Sequence, residues 1–186
     1  MKIIKKHLSA EGLIKSIYSK LKKIQDPQNR KGKISLTDCL MSCFAIFSLK
    51  YPSLLAYDIE KKDPQSISNL KTLYLVKNPP SDTYMKQKLD DVNPNLLRPV
   101  FKKIFANLQR GKALEDYKYI DNYYLMSIDG TGHFSSEKVQ CKNCLVKNHR
   151  TGKTTYHHQM LAGVILHPKK KQVIPICPES IKKQDG

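Results

Sequence analysis

The sequence predicts an α+β protein, with a helical region over residues 1–115 followed by antiparallel strands over residues 116–186. Two observations carry this reading. Up to Gly111 the apolar residues recur at a spacing near four, the period of a helix with one buried face, and beyond it they recur near two, the period of a strand. The links between the later apolar runs, apart from the one that holds Cys141 and Cys144, are too short for the crossover helix that parallel strands need. A chain of 186 residues has room for one ordinary domain, or for a small helical domain followed by part of another, without disulfides or metal to replace a core.

Leu13, Ile14, Ile17, Tyr18, Leu21 and Ile24 recur at helical spacing behind a capping Ser9, which predicts a surface helix. Residues 26–33, with Pro27, Gly32 and several charges, read as a loop. Ser35 and Asp38 form a capping-box pattern that opens a buried helix, expected to end at Pro52. A shorter helix over 53–60 precedes a break at Asp63-Pro64, and 69–76 is too short to assign. Pro79-Pro80-Ser81 is a turn with a capping serine, and Asp82 suits the positive end of the helix expected over 82–91. Asn93-Pro94 restarts the chain. Leu96, Leu97, Val100, Phe101, Ile104, Phe105 and Leu108 then form one apolar stripe, with Arg98, Lys102, Lys103 and Arg110 outside it and Gly111 as the C-cap. Two helices joined by so short a link look like a DNA-reading pair, while periodicity alone fits an ordinary bundle with a solvated basic face. Residues 123–128, 154–166 and 172–176 are the expected strands.

The 33 Lys and Arg against 16 Asp and Glu give a formal charge of +17, which repels itself unless a polyanion is the usual partner. Double-stranded DNA is the partner expected. A membrane is not expected, because the longest apolar run, 39–49, is interrupted by Ser42 and Ser48 and is too short to span a bilayer. The lysines at the N-terminus are not followed by the continuous apolar stretch of a signal peptide, so a cytoplasmic location is expected. Five cysteines, an odd number, argue for reduced thiols or metal ligands over a disulfide framework.

Three features could carry chemistry. Asp129 follows an apolar run and precedes Gly130 and Gly132. Alone, an Asp-Gly at a strand end is ordinarily a turn. From Lys138 to Lys171 there are eight Lys or Arg and no acid, so Lys138, Lys142, Lys147, Arg150 and Lys153 join Lys102 and Lys103 as candidate phosphate contacts. Cys141 and Cys144 have zinc-knuckle spacing, with His149, His157 and His158 within reach of a four-ligand site. His157 and His158 face opposite sides of any strand, so at most one joins the cysteines, and His149 and His158 are the candidates taken with them. A reduced, metal-free pair is the competing reading, since no second Cys pair follows. Cys39 and Cys43, one helical turn apart, read as core residues, and Cys177 has no partner in sequence.

In order, Pro79-Pro80-Ser81-Asp82-Thr83, residues 93–105, residues 125–134 with Ser-Ile-Asp-Gly-Thr, the Cys141 and Cys144 pair, Tyr-His-His-Gln at 156–159 and residues 173–186 with Val-Ile-Pro-Ile-Cys-Pro-Glu resemble bacterial insertion-sequence transposases of the DDE class, insertion-sequence-four-like type. The resemblance spans nearly the whole chain, and the order and spacing of the segments are its specific part. It implies that 116–186 holds the first three antiparallel strands of an incomplete RNase H-like domain with a Cys-x-x-Cys insertion, and that Asp129 is the first catalytic carboxylate, a Mg²⁺ ligand. Such enzymes use three acids to hold two Mg²⁺ ions that cut and join DNA strands. The resemblance puts the other two acids downstream of Gly186 and assigns neither Glu179 nor Asp185 to the trio. It therefore implies a truncated, N-terminal portion that binds DNA and is catalytically inactive by itself, either cut short by a mutation or completed by a second reading frame, with a downstream transposase fragment or a homo-oligomer as its protein partner. The reading from a different class is a zinc-containing nucleic-acid-binding module with no enzymatic ancestry.

Overall fold

The computed structural model describes residues 6–28 and 32–182. Asp185 and part of the 26–33 loop lie outside the described residues. The fold is α+β, with six α-helices and a five-stranded antiparallel sheet among the described residues. The chain divides into two compact units, Met1–Gly111 and Lys112–Gly186.

The first unit is helical: α1 (Ala10–Leu21), α2 (Leu36–Ser48), α3 (Leu54–Glu60), α4 (Pro64–Thr72), α5 (Asp82–Leu89) and α6 (Arg98–Arg110). Most starts follow from side-chain caps. The hydroxyls of Ser9, Ser35, Ser53 and Ser81 accept from the backbone N–H groups of Gly12, Asp38, Ala56 and Tyr84, satisfying donors that a helix start leaves unpaired. Asp38 completes the expected box: its Oδ2 accepts from Ser35 Oγ at 2.9 Å, and Oδ1 accepts from the Lys77 N–H at 2.8 Å. That second bond fastens a distant loop to the start of α2.

Two expectations change, and a third is met in a different conformation. Asp63-Pro64 is the start of α4, with Asp63 accepting from the Ser66 N–H and Pro64 in the first turn, where its missing N–H costs nothing. Helix α2 ends before Pro52, because Lys50 turns left-handed at φ 58° and the N–H groups of Lys50 and Tyr51 return to the carbonyls of Phe47 and Ile46. Gly111 is the C-cap of α6 as expected, but with an ordinary φ of −76°, and the left-handed residue is Lys112. A side chain at Gly111 would overlap Leu8, so close approach, and not turning, is what requires the glycine.

Helix α2 is the centre of the core. It buries Leu36, Cys39, Leu40, Met41, Ala45 and Ile46 against Leu21, Tyr57, Leu70, Tyr74, Val76 and Met85 from the surrounding segments. Helix α6 lies along α1, and α5 packs on α2 and α3. The helices flanking Asn93-Pro94 thus have different main neighbours. Buried Asn107 donates to Ser16 Oγ at 3.0 Å across the α1–α6 seam, and Ser16 donates onward to the Gly12 carbonyl.

The second unit is a sheet of β1 (Leu125–Ser136), β2 (Leu145–Asn148), β3 (Thr154–Leu166), β4 (Ile174–Pro175) and β5 (Glu179–Ile181). All pairing is with β3. Strand β1 runs antiparallel along one edge, and β2, β5 and β4 share the other edge in consecutive stretches. Two more strands are present than the sequence suggested, and β1 continues well past the expected end at Ile128.

Register decides which side chains share a face, since antiparallel partners point the same way and neighbours alternate. One face carries Ile128 and Gly163 as partners, Ile174 opposite Ile165, and Leu145 opposite His157. Leu145, Ile165 and Ile174 are buried there. The other face carries Asp129 opposite Ala162, Thr131 opposite Met160, and Phe134 opposite His158. Between Gly132 and Phe134 the register shifts, so His133 is the extra residue of a β-bulge.

Candidate metal centre

Cys141 and Cys144 lie on the excursion between β1 and β2, and His158 is on β3. A tight turn, with the Cys144 N–H on the Cys141 carbonyl at 3.1 Å, brings the two cysteines together. Backbone N–H groups of Cys141 and Asn143 donate to Cys144 Sγ and Cys141 Sγ at 3.2 and 3.4 Å. The sulfurs are 3.6 Å apart, and His158 Nε2 lies 3.3 Å from Cys141 Sγ and 3.4 Å from Cys144 Sγ. A tetrahedral zinc with Zn–S of about 2.3 Å and Zn–N of about 2.0–2.1 Å would set edges of about 3.8 Å between sulfurs and about 3.6 Å from sulfur to nitrogen. The observed triangle is within a few tenths of an ångström of that on every edge. Among the described residues it is the one group of three His, Cys, Asp or Glu side chains gathered closely enough to hold a metal ion.

Strand parity decides which histidine takes part. His158 faces the side of Phe134, whereas His157 pairs with Leu145 on the other face, as alternation requires. His149 extends the face of Lys147 and Thr155, and its Nε2 is 2.9 Å from Thr155 Oγ1. It stands outside the triangle. The other thiols differ in kind. Cys39 is fully buried and its thiol is pushed up to about 11, mainly by burial, while burial also raises Cys43. Cys177 is half-buried with its sulfur 3.7 Å from the Pro178 carbonyl.

Asp129 is exposed in the middle of β1, not at the end of a strand. The thirteen-residue β3 offers backbone partners along its length, so pairing passes through the Asp-Gly that ordinarily signals a turn. No atom lies within 4 Å of where a Cβ at Gly130 would be, so the face opposite Asp129 is open at that point. Asp129 and His158 share a face, and the four residues from Ala162 to His158 put them about 13 Å apart along the strand. Glu179 pairs with Leu161, one residue out of phase with Ala162, so it occupies the opposite face.

Comparison with known protein families, curated proteins and solved structures finds no match to this chain.

The candidate phosphate contacts form two sets, one in each unit. In the helical unit Lys102 and Lys103 line a cleft of about 310 Å³ with Lys20, Arg98 and Pro99. Lys20 and Pro99 also line an adjoining groove with Lys23 and Asp26. Lys20 and Lys23 were not singled out in sequence, because only the packing of α6 along α1 brings them beside Lys102 and Lys103. In the sheet unit Lys138, Lys142, Lys147, Arg150 and Lys153 are exposed, with Lys153 Nζ 3.4 Å from Glu137 Oε1. No helix among the described residues is long and apolar enough to cross a membrane.

Proposed function

We propose that this chain is the DNA-engaging front portion of a DDE-class transposase, with the β-sheet unit as the opening strands of an RNase H-like domain and Asp129 as its first metal-binding carboxylate. The observation that carries the proposal is Asp129 itself. It is an exposed acid in the middle of a strand of the sheet's longest strand pair, in a segment whose motif order resembles that family. Charge supports the same reading, since an excess of +17 and two sets of cations suit a phosphate backbone.

Residues 1–186 do not by themselves make a two-metal site. Two divalent ions need several carboxylates around them, and Glu179 points from the other face of the sheet. What these residues do in this reading is bind duplex DNA and present one carboxylate, with the remaining acids supplied by a downstream transposase fragment.

Zinc on Cys141, Cys144 and His158 is the resident metal in this proposal. The donor set suits it, with two sulfurs and an imidazole at near-tetrahedral separations. Its role is structural: it clasps the excursion between β1 and β2 onto β3. The same centre is what favours the second reading, a zinc-containing nucleic-acid-binding module without strand-cutting chemistry.

Gel-shift titration of duplex DNA at rising salt tests the shared part of both readings. Affinity should fall steeply and linearly on a log–log scale, by about a factor of 10³ or more between 50 and 200 mM salt if six or more phosphates are neutralised. Binding that stayed flat across that range would remove DNA as the partner. The two readings part on complementation. Strand cutting that appears when further transposase segments are added, and that is lost in Asp129→Ala, favours the transposase.

A further inference from the structure

We infer that His133 is the fourth ligand of the metal centre. The inference rests on the zinc reading and deepens it, because three donors leave one vertex of a tetrahedron unassigned. Structural zinc sites are closed by four protein ligands, whereas sites with a solvent-held vertex belong to zinc that acts on substrate. A clasp between an excursion and its neighbouring strand is the structural kind.

Sheet parity reduces the candidates to one. His157 faces the apolar side of the sheet, away from His158, and His149, one residue beyond β2, has its Nε2 on Thr155 Oγ1 of that same side. His167 lies nine residues further along the chain, beyond the end of β3. Only His133 shares the face and the neighbourhood. In a regular strand His133 and Phe134 would point to opposite sides. The bulge between Gly132 and Phe134 turns both toward His158, whose ring stacks on His133 with centroids 5.9 Å apart and an interplanar angle of 20°, and meets Phe134 at 5.7 Å. Bulges recur where a strand must re-aim a side chain toward a site. His133 is exposed, so the movement from stacking to ligation is a rotamer change of an unconfined side chain. Its imidazole would leave the centre with two sulfur and two nitrogen ligands, one of the donor sets of structural zinc sites.

The test uses the whole chain purified with zinc. Metal analysis first establishes one zinc per chain in the wild type and its loss in Cys144→Ser. No zinc in either protein would overturn the zinc reading itself, and this inference with it. With zinc present, X-ray absorption at the zinc edge should show the multiple-scattering signal of two imidazoles in the wild type and of one in His133→Ala. Competition with a chromophoric chelator should show zinc held at least tenfold more weakly by His133→Ala. His133→Phe keeps a ring against His158 but has no nitrogen donor, so it should lose as much affinity as His133→Ala. Recovery of wild-type affinity in His133→Phe would show that stacking, and not ligation, is the role of His133. An unchanged imidazole count in His133→Ala, or a loss of affinity in His149→Ala in its place, would overturn the assignment while leaving the zinc centre intact.

Discussion

Removing the carboxylate of Asp26 should unfold the helical unit more readily than any loss of surface charge. Lys88 on α5 is almost completely buried, its side chain 3% exposed, and its Nζ meets Asp26 Oδ2 at 2.5 Å. Asp26 is less buried, at 24% exposed, so water already stabilises part of its charge. In Asp26→Ala the ammonium keeps its burial and loses its counter-charge, a situation that costs about 3–5 kcal/mol when both partners are buried. The partial exposure of Asp26 puts the expected value near the lower end, about 3 kcal/mol. Lys88→Met removes the buried charge and leaves an acid that water can reach, so it should cost about 1 kcal/mol or less. The double variant should lie near Lys88→Met, giving a coupling of about 2 kcal/mol or more. Urea unfolding followed by circular dichroism at 222 nm reads this unit, because all six α-helices of the described residues belong to it. The pair also ties the segment after α1 to α5, and Gln28 adds bonds to the Gln87 carbonyl and Asp91 Oδ2. Since Asp26 lines the groove that Lys20 and Lys23 share, Asp26→Ala should weaken DNA binding as well, despite removing a negative charge. A loss of stability below about 1 kcal/mol, or a Lys88→Met variant as unstable as Asp26→Ala, would refute the buried-charge argument.

Lys102→Ala and Lys103→Ala should each weaken duplex binding regardless of sequence and reduce the log–log salt slope by about one; an unchanged slope would take them out of the phosphate contacts. The chain alone, incubated with Mg²⁺ or Mn²⁺ and DNA, should neither nick nor join strands. Cutting that vanished in Asp129→Ala would mean that a second acid in residues 1–186 acts with Asp129. Lys50→Gly should raise stability by about 1 kcal/mol, because a left-handed residue with a side chain is strained and glycine is not; denaturant midpoints decide it. The thiol of Cys39, held neutral up to about 11 by burial, contributes stability that is full below the ordinary thiol range. That contribution is lost as pH rises through about 11, because the unfolded chain releases its proton first. Cys39→Ala should flatten the alkaline limb of the stability profile, and thiol labelling of the folded, metal-free protein at pH 8 should modify Cys141 before Cys39.

How much of this was legible beforehand depended on the range over which the responsible forces act. Helix starts were readable because a cap is a contact over three residues: Ser9, Ser35, Ser53 and Ser81 meet their own backbone wherever the helices go. Asp63-Pro64 was misread because the same dipeptide can close one segment or open the next, and only the chain that follows selects. The buried run around Cys39 and Met41 and the change of period after Gly111 were equally plain, since burial on one face imposes its own spacing. Even the exclusion of His157 as a partner of His158 followed from alternation alone.

Tertiary structure decided what lies across gaps in sequence. Asp129 looked like a strand end and became mid-strand, because β3 is long enough to pair beyond it. His149 and His158 were equal candidates in sequence, until pairing of β2 with β3 assigned them to opposite faces. His133 carried no signal at all, because a bulge is a mismatch between two strands and cannot be read from one of them. The cluster of Lys20 with Lys102 and Lys103 likewise exists only because α6 lies along α1. Residue types and local periods thus fixed the elements and the chemistry on offer. Which side chains meet was set by strand register and helix packing, where hydrogen bonds and burial are shared between segments that sequence keeps far apart.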